Sequence, residues 1–165
     1  MNLSRLKWIK VVTPPSDYEH RWAYSLKEIE KIEELGDRII KSSHGLTIFP
    51  LGFKQVIKKK LDAGDLIMLT QHAKITHIVE VLDDESYEKE SWLNRYVKIV
   101  WWKPQMDWKD LPHRSEILGF DIAVFDGNPH EFNRFSSFQK KWGDGANSLE
   151  AFQENLNNML CVYSN

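Results

Sequence analysis

Along residues 75–82, ITHIVEVL, Ile75, His77, Val79 and Val81 fall on one side of an extended chain and Thr76, Ile78, Glu80 and Leu82 on the other. This is the period of two that strand geometry imposes. The apolar run at residues 66–70, LIMLT, precedes it across the polar connection Gln71-His72-Ala73-Lys74, which together reads as a β-hairpin. Apolar residues stand on both sides of the second run, predicting a strand buried on both faces, in a closed barrel or beneath a helix. Residues 6–12, LKWIKVV, and 96–103, YVKIVWWK, alternate in the same way and are each stopped by proline, at Pro14 and Pro104. A shorter apolar run at 46–51 is broken by Pro50, and a further strand is expected at 122–125. The acidic stretch 83–94 reads as an exposed connection.

Other segments carry a helical spacing. Leu26, Ile29, Ile32 and Leu35 recur every third residue, with Ser25 and Glu28 forming a capping box, so a helical insert is expected over about 25–43. Phe53, Val56, Ile57 and Leu61 predict a short amphipathic helix whose outer face carries Lys54, Lys58, Lys59 and Lys60. Phe132, Phe135 and Phe138 predict another short helix. Leu149, Phe152, Leu156, Met159 and Leu160 form the core face of a C-terminal helix over about 147–162, opened by Asn147 with Glu150 three residues on. Strand, helices, several strands and helix give an α+β arrangement with a small mixed sheet.

At 165 residues and 42% hydrophobic the chain can bury one sizeable core, so a single domain spanning 1–165 is expected. A net charge of −2 disfavours a strongly cationic, sequence-blind nucleic-acid binder and leaves room for a local basic patch. The single cysteine, Cys161, makes no intramolecular disulfide and belongs to no metal-ligand spacing; it reads as a small apolar residue inside the last helix. Neither a signal-peptide core nor a run of about 20 apolar residues is visible, so a cytoplasmic protein without membrane contact is expected. No metal, cofactor, P-loop, dinucleotide fingerprint or Ser/His/Asp motif is implied. The seven tryptophans, five tyrosines and eight phenylalanines exceed what a core of this size needs, leaving rings for a stacking pocket.

Three features carry a resemblance to a known family. The opening strand LKWIKVVTPP holds an aromatic and ends at a Lys and a proline turn. A basic helix leads to Gly64-Asp65, which starts a strand, and that strand pairs with one ending in VEV within HGLTIFPLGFKQVIKKKLDAGDLIMLTQHAKITHIVEVLDD. Over residues 6–102 the chain resembles the EVE branch of the PUA-like superfamily, relatives of which are the ASCH and YTH domains. Residues 119–165 lie outside the resemblance. It implies a small PUA-like mixed β-barrel flanked by helices, with a concave pocket that holds a base flipped out of DNA or RNA, often a modified one. Extrusion lets the whole base edge be read, and aromatic walls compensate part of the lost stacking.

Candidate base-binding residues are Trp22, Tyr24, His44, Thr47, Phe49 and Trp102, with Lys54, Lys58 and Lys59 on phosphates. Rim packing for Trp22 and Tyr24, and a solvated helix face for the lysines, are the plainer readings of the same residues. Trp101 and Trp102 must face opposite ways; alternation groups Trp101 with Val97 and Ile99 in the core and leaves Trp102 for the pocket. His77 reads as a core histidine and Gln71 and His72 as hairpin-tip residues. The expected function is a non-enzymatic module that binds a nucleic-acid base. The alternative is an ASCH-like amidohydrolase acting on an acylated nucleoside, with Lys10, Thr13 and Glu80 as catalytic set; a protein-interaction module is the third reading.

Overall fold

In the computed structural model, residues 1–13, 40–41, 47–54, 61–84, 86–89, 92–123 and 126–164 are described. Eight strands form one mixed sheet: β1 (Leu6–Val11), β2 (Ile40–Lys41), β3 (Thr47–Phe53), β4 (Leu66–Gln71), β5 (Lys74–Val81), β6 (Tyr87–Lys89), β7 (Trp92–Trp102) and β8 (Pro129–Glu131). Their order is β2-β3-β7-β5-β4-β1-β8, with β6 on β7, and β1 runs parallel to β4 while the other pairs are antiparallel. Among the described residues three α-helices follow, α1 (Arg114–Leu118), α2 (Ser136–Trp142) and α3 (Ser148–Cys161). The chain is thus α+β, and the sheet is open: its terminal strands are not hydrogen-bonded to each other.

The sheet is nevertheless strongly curled. β3 and β1 are four steps apart in strand order, which in a flat sheet would separate them by about 19 Å. Yet the Lys10 Nζ lies 5.8 Å from the centre of the Phe53 ring. The concave face buries Trp8, Val12, Phe49, Leu51, Phe53, Ile67, Leu69, Val79, Val81, Val97 and Ile99. The convex face buries Leu6, Ile9, Met68, Ile75, Ile78 and Trp101 against the helices and the segments joining them, where Phe120, Phe132, Phe138 and Phe152 pack edge to face or tilted. Central strands covered on both sides fit the two-sided apolar pattern of the hairpin. The segment beyond residue 119 is therefore the layer that covers the convex face. Gln153 of α3 ties that layer to the first strand by donating to the carbonyls of Ser4 (3.2 Å) and Leu6 (2.9 Å).

The entry to the hairpin is fixed by Gly64 and Asp65. Gly64 has φ 82°, the left-handed region glycine enters without a Cβ penalty, and the Arg5 guanidinium fills the space a side chain there would need. The buried Asp65 carboxylate accepts from Trp8 Nε1 (2.9 Å) and the Asp62 amide (3.2 Å), with Arg5 and Lys7 at its outer oxygen. Gly-Asp thus turns the chain and locks the first strand to the fourth.

Several expectations are corrected. The turn of the hairpin is two residues, His72 and Ala73, both at positive φ, so Gln71 and Lys74 belong to the ladder and Gln71 is buried. Pro50 does not end its strand; β3 runs on to Phe53, and among the described residues β2 pairs with Thr47 and Ile48 alone, so no described strand faces Pro50 on that side. Phe53 closes β3 instead of opening a helix, and Val56 and Ile57 lie outside the described residues. The expected connection 83–94 contains β6 and the start of β7. Residues 122–123 form no strand; the added strand is β8, which pairs with β1. The helix expected through Phe132, Phe135 and Phe138 is divided at Phe135, which is extended between a 3₁₀ turn and α2. On α3, Met159 and Cys161 are exposed, and Gln153 takes a buried place instead. The helical insert at 25–43 lies outside the described residues except for β2.

Candidate functional site

The site is built where two strands lose their regular alternation. On β5 the register passes from Leu69↔His77 to Thr70↔Ile75, leaving Thr76 as an extra residue. On β7 it passes from Ile78↔Trp101 to Val79↔Ile99, leaving Val100 extra. These two bulges bracket His77. A bulge reverses which face the following side chains meet. The first sends Ile75 to the convex core, away from His77, Val79 and Val81, which simple alternation would make its companions. The second places Trp101 in the convex core and turns Trp102 to the concave face with Val97 and Ile99, the reverse of the grouping that alternation predicts.

A single in-register row results: Lys10↔Leu69, Leu69↔His77 and His77↔Trp102, on β1, β4, β5 and β7. The His77 ring lies near two others, Phe49 of β3, centroids 6.1 Å apart, and Trp102, 5.6 Å apart and tilted by 31°. His77 Nδ1 is 3.0 Å from the hydroxyl of the bulge residue Thr76, which also donates to the Leu69 carbonyl at 3.3 Å. Phe49 and His77 are fully buried, and Trp102 is half-buried at the rim. Thr47, 1% exposed, precedes Phe49 on the same face of β3, and Gln71, also 1% exposed, follows Ile67 and Leu69 on the same face of β4. The polar side chains Lys10, Thr47, Gln71 and His77 therefore share this largely apolar face, with the buried Arg95 of β7 opposite Leu51 further along it.

Lys10 is 4% exposed. Its ammonium meets the Phe53 ring and, at 3.4 Å, the carbonyl of Val11. Burial strips water from the charge and lowers its pKa to about 8; Asp126 pulls the value back up and Lys54 pushes it further down. Asp126 is itself held below the usual carboxylate range: partial burial acts against this, but hydrogen bonds from His130 and the Asn128 amide and the His130 charge outweigh it.

Of the six base-binding candidates, the structure places Thr47, Phe49 and Trp102 on one face, with Phe49 and Trp102 each near His77. Trp22, Tyr24 and His44 lie outside the described residues, as do Lys58 and Lys59. Lys54 is exposed at the end of β3, within electrostatic reach of Lys10. The Lys10, Thr13 and Glu80 set is not brought together: Thr13 is exposed beyond β1, and Glu80 stands between Val79 and Val81, hence on the opposite face of the sheet from Lys10. His77 and Gln71 are the residues that sequence patterns under-rate. A turn lacking Gly and Asn hid the true end of β4, and the bulges that aim His77 and Trp102 at each other leave no compositional mark. Among the described residues no group of three His, Cys, Asp or Glu is placed to hold a metal ion, and no helix is long and apolar enough to cross a membrane.

Compared with known proteins, the chain matches no protein-family profile, no curated protein and no solved structure.

Proposed function

We propose that this chain is a non-enzymatic module that binds DNA or RNA by holding one base, modified bases included, in an aromatic pocket at the concave face of its sheet. The observation that carries the reading is the cluster of the Phe49, His77 and Trp102 rings, with His77 and Trp102 aimed there by two bulges. Bulges concentrate where a side chain must be re-aimed for function. A concavity lined by rings with a few convergent polar groups is the usual character of a small-ligand site. The curl that brings Lys10 to Phe53 fits the interior of a PUA-like barrel, the fold the sequence resembles.

The half-buried Trp102 offers the ring on which a base stacks, a contact worth about 1–3 kcal/mol. Extruding a base costs a few kcal/mol, least for a damaged, modified or unpaired one. One tryptophan with the Phe49–His77 wall behind it therefore offsets much of that cost. The exposed Lys54 supplies a phosphate contact, and its single charge predicts a shallow salt dependence. Binding and not turnover is the reading favoured here, because Glu80 and Thr13 do not converge on Lys10.

Fluorescence anisotropy with a panel of short single- and double-stranded oligonucleotides, carrying unmodified, methylated or hydroxymethylated bases at one position, tests the reading. Base-dependent affinity with tryptophan quenching is expected. Equal affinity across the panel would sink it.

A further inference from the structure

The helical layer buries the convex face over β1, β4 and β5, and the first half of β7 lies outside it. There Leu93, Arg95 and Val97 are buried on the concave side, so Trp92, Asn94, Tyr96 and Lys98 stand on the convex one. None of these four belongs to either core. Trp92 is 39% exposed, and Tyr96 and Lys98 are half-buried. On one side Gly52 of β3 pairs with Asn94 and raises no side chain beside it; on the other, β6 runs along the start of β7.

Two glycines border the Trp92 ring. A Cβ added at Gly52 would lie 3.6 Å from its Cε3, and one added at Gly127, in the turn before β8, 3.6 Å from its Cη2. Tyr96 tilts against Tyr87 of β6, ring centroids 5.7 Å apart. Four residues of strand set Trp92 and Tyr96 about 14 Å apart. Two cations accompany them: Lys98 on the same strand, and the exposed Lys54, one position beyond β3, where the register carried on from Phe53↔Leu93 falls opposite Trp92. Arg5, Lys7, Arg95 and Arg134 each hold a carboxylate, whereas among the described residues neither Lys54 nor Lys98 is ion-paired. The acid on this face is Glu80, across from Lys98, and Asp126 beside Gly127 is engaged by His130 at 2.9 Å, so the Lys54 and Trp92 end is the positive one.

We propose that this uncovered convex face of β7 and β3 is a second binding surface, for single-stranded nucleic acid, on which Trp92 and Tyr96 each stack a base and Lys54 and Lys98 meet phosphates. Rings on an open sheet take bases face on; a base inside a duplex has no free face to give, and every unpaired base has one. An acidic peptide would meet the lysines and leave the rings bare. The choice of polymer rests on the base-binding reading above. The surface itself lies on the opposite side of the sheet from the Phe49, His77 and Trp102 cluster and is additional to it.

The test uses the full chain and anisotropy with labelled thymidylates, a dinucleotide that occupies one ring and a dodecamer that spans the face, beside a dodecamer duplex. The single-stranded dodecamer should bind about tenfold tighter, or more, than either of the others. Trp92→Ala should weaken the dodecamer about five- to more than hundredfold, the loss of one stacked base, and Trp92→Phe should restore most of it. Lys54→Ala should make the salt slope shallower by about 0.7, one phosphate contact on a single strand. Lys54 is exposed, so this variant keeps the test decisive if Trp92→Ala loses its fold. Equal affinity for all three ligands, or dodecamer binding that Trp92→Ala and Lys54→Ala leave unchanged, would overturn the surface and leave the pocket reading standing. Dodecamer binding that is lost in Trp92→Ala and blind to base identity would support the surface and sink the pocket. Failure of every oligonucleotide to bind would overturn both.

Discussion

The indole of Trp102 faces the imidazole of His77 across the β5–β7 ladder, ring centroids 5.6 Å apart, because Val100 is a bulge that turns the last residue of β7 onto the concave face. Without that extra residue the ring would point into the helical layer where Trp101 now sits.

Trp102→Ala should weaken oligonucleotide binding by about 1–3 kcal/mol, five- to more than hundredfold, the loss expected for one stacked base. Trp102→Phe should keep most of the affinity. Anisotropy titrations with the two variants decide this; equal affinity of the alanine variant and wild type would remove the ring from the site.

The charge state of Lys10 gives a stability prediction with a definite sign. Its folded pKa, about 8, lies below the ordinary 10.5, so between these values the unfolded chain binds more protons and stability rises with pH. Below pH 8 both states carry the charge and the burial penalty is at its full size, about 3 kcal/mol at most. Lys10→Met should therefore stabilise the protein near pH 7, with a gain that shrinks as pH rises from 8 toward 10. Chemical denaturation at pH 7 and pH 9.5 measures both; a gain independent of pH would contradict the assignment.

Asp65 answers for several donors at once. Asp65→Ala leaves the buried Trp8 Nε1 and the Asp62 amide without their acceptor, and should cost about 2–4 kcal/mol in urea unfolding. Arg5→Ala, whose side chain is half-exposed at the same carboxylate, should cost less than about 1 kcal/mol.

The two-residue turn offers the opposite effect. Ala73 has φ 62°, a left-handed conformation that costs an L-residue about 1–2 kcal/mol and glycine nothing. Ala73→Gly should raise stability by roughly 0.5–1 kcal/mol after glycine's greater unfolded-state entropy is subtracted. A drop in thermal midpoint would show that the turn is not strained as described.

How much of this was legible in the chain depends on whether a residue's role is local. Strands β1, β4, β5 and β7 announced themselves by alternation, and the Gly64-Asp65 entry by its composition, because strand period and left-handed turns are written in neighbouring residues. The α+β class followed. What escaped was non-local. The short strands β6 and β8 exist because longer partners, β7 and β1, offer unpaired backbone. Pro50 sits inside β3 where, among the described residues, β2 does not extend alongside it. The bulges at Thr76 and Val100 shift the faces of Ile75, Trp101 and Trp102, so the candidate Trp102 reached the concave side by a route opposite to the alternation that suggested it. Lys10 could be picked out by type, but its burial depends on β3 curling over β1, which no local pattern encodes.

The placement of the first strand has a consequence for the order in which the molecule can be made. β1 is made before its partners, yet one of its neighbours is β4 and the other is β8, some 120 residues downstream, and Gln153 fastens its start from further still. Until that later stretch has been synthesised, β1 lacks its β8 neighbour and the helical cover of its convex side. Acquisition of a protease-resistant nascent chain should therefore come in one late step, once residues past Gln153 have cleared the exit tunnel, and not strand by strand.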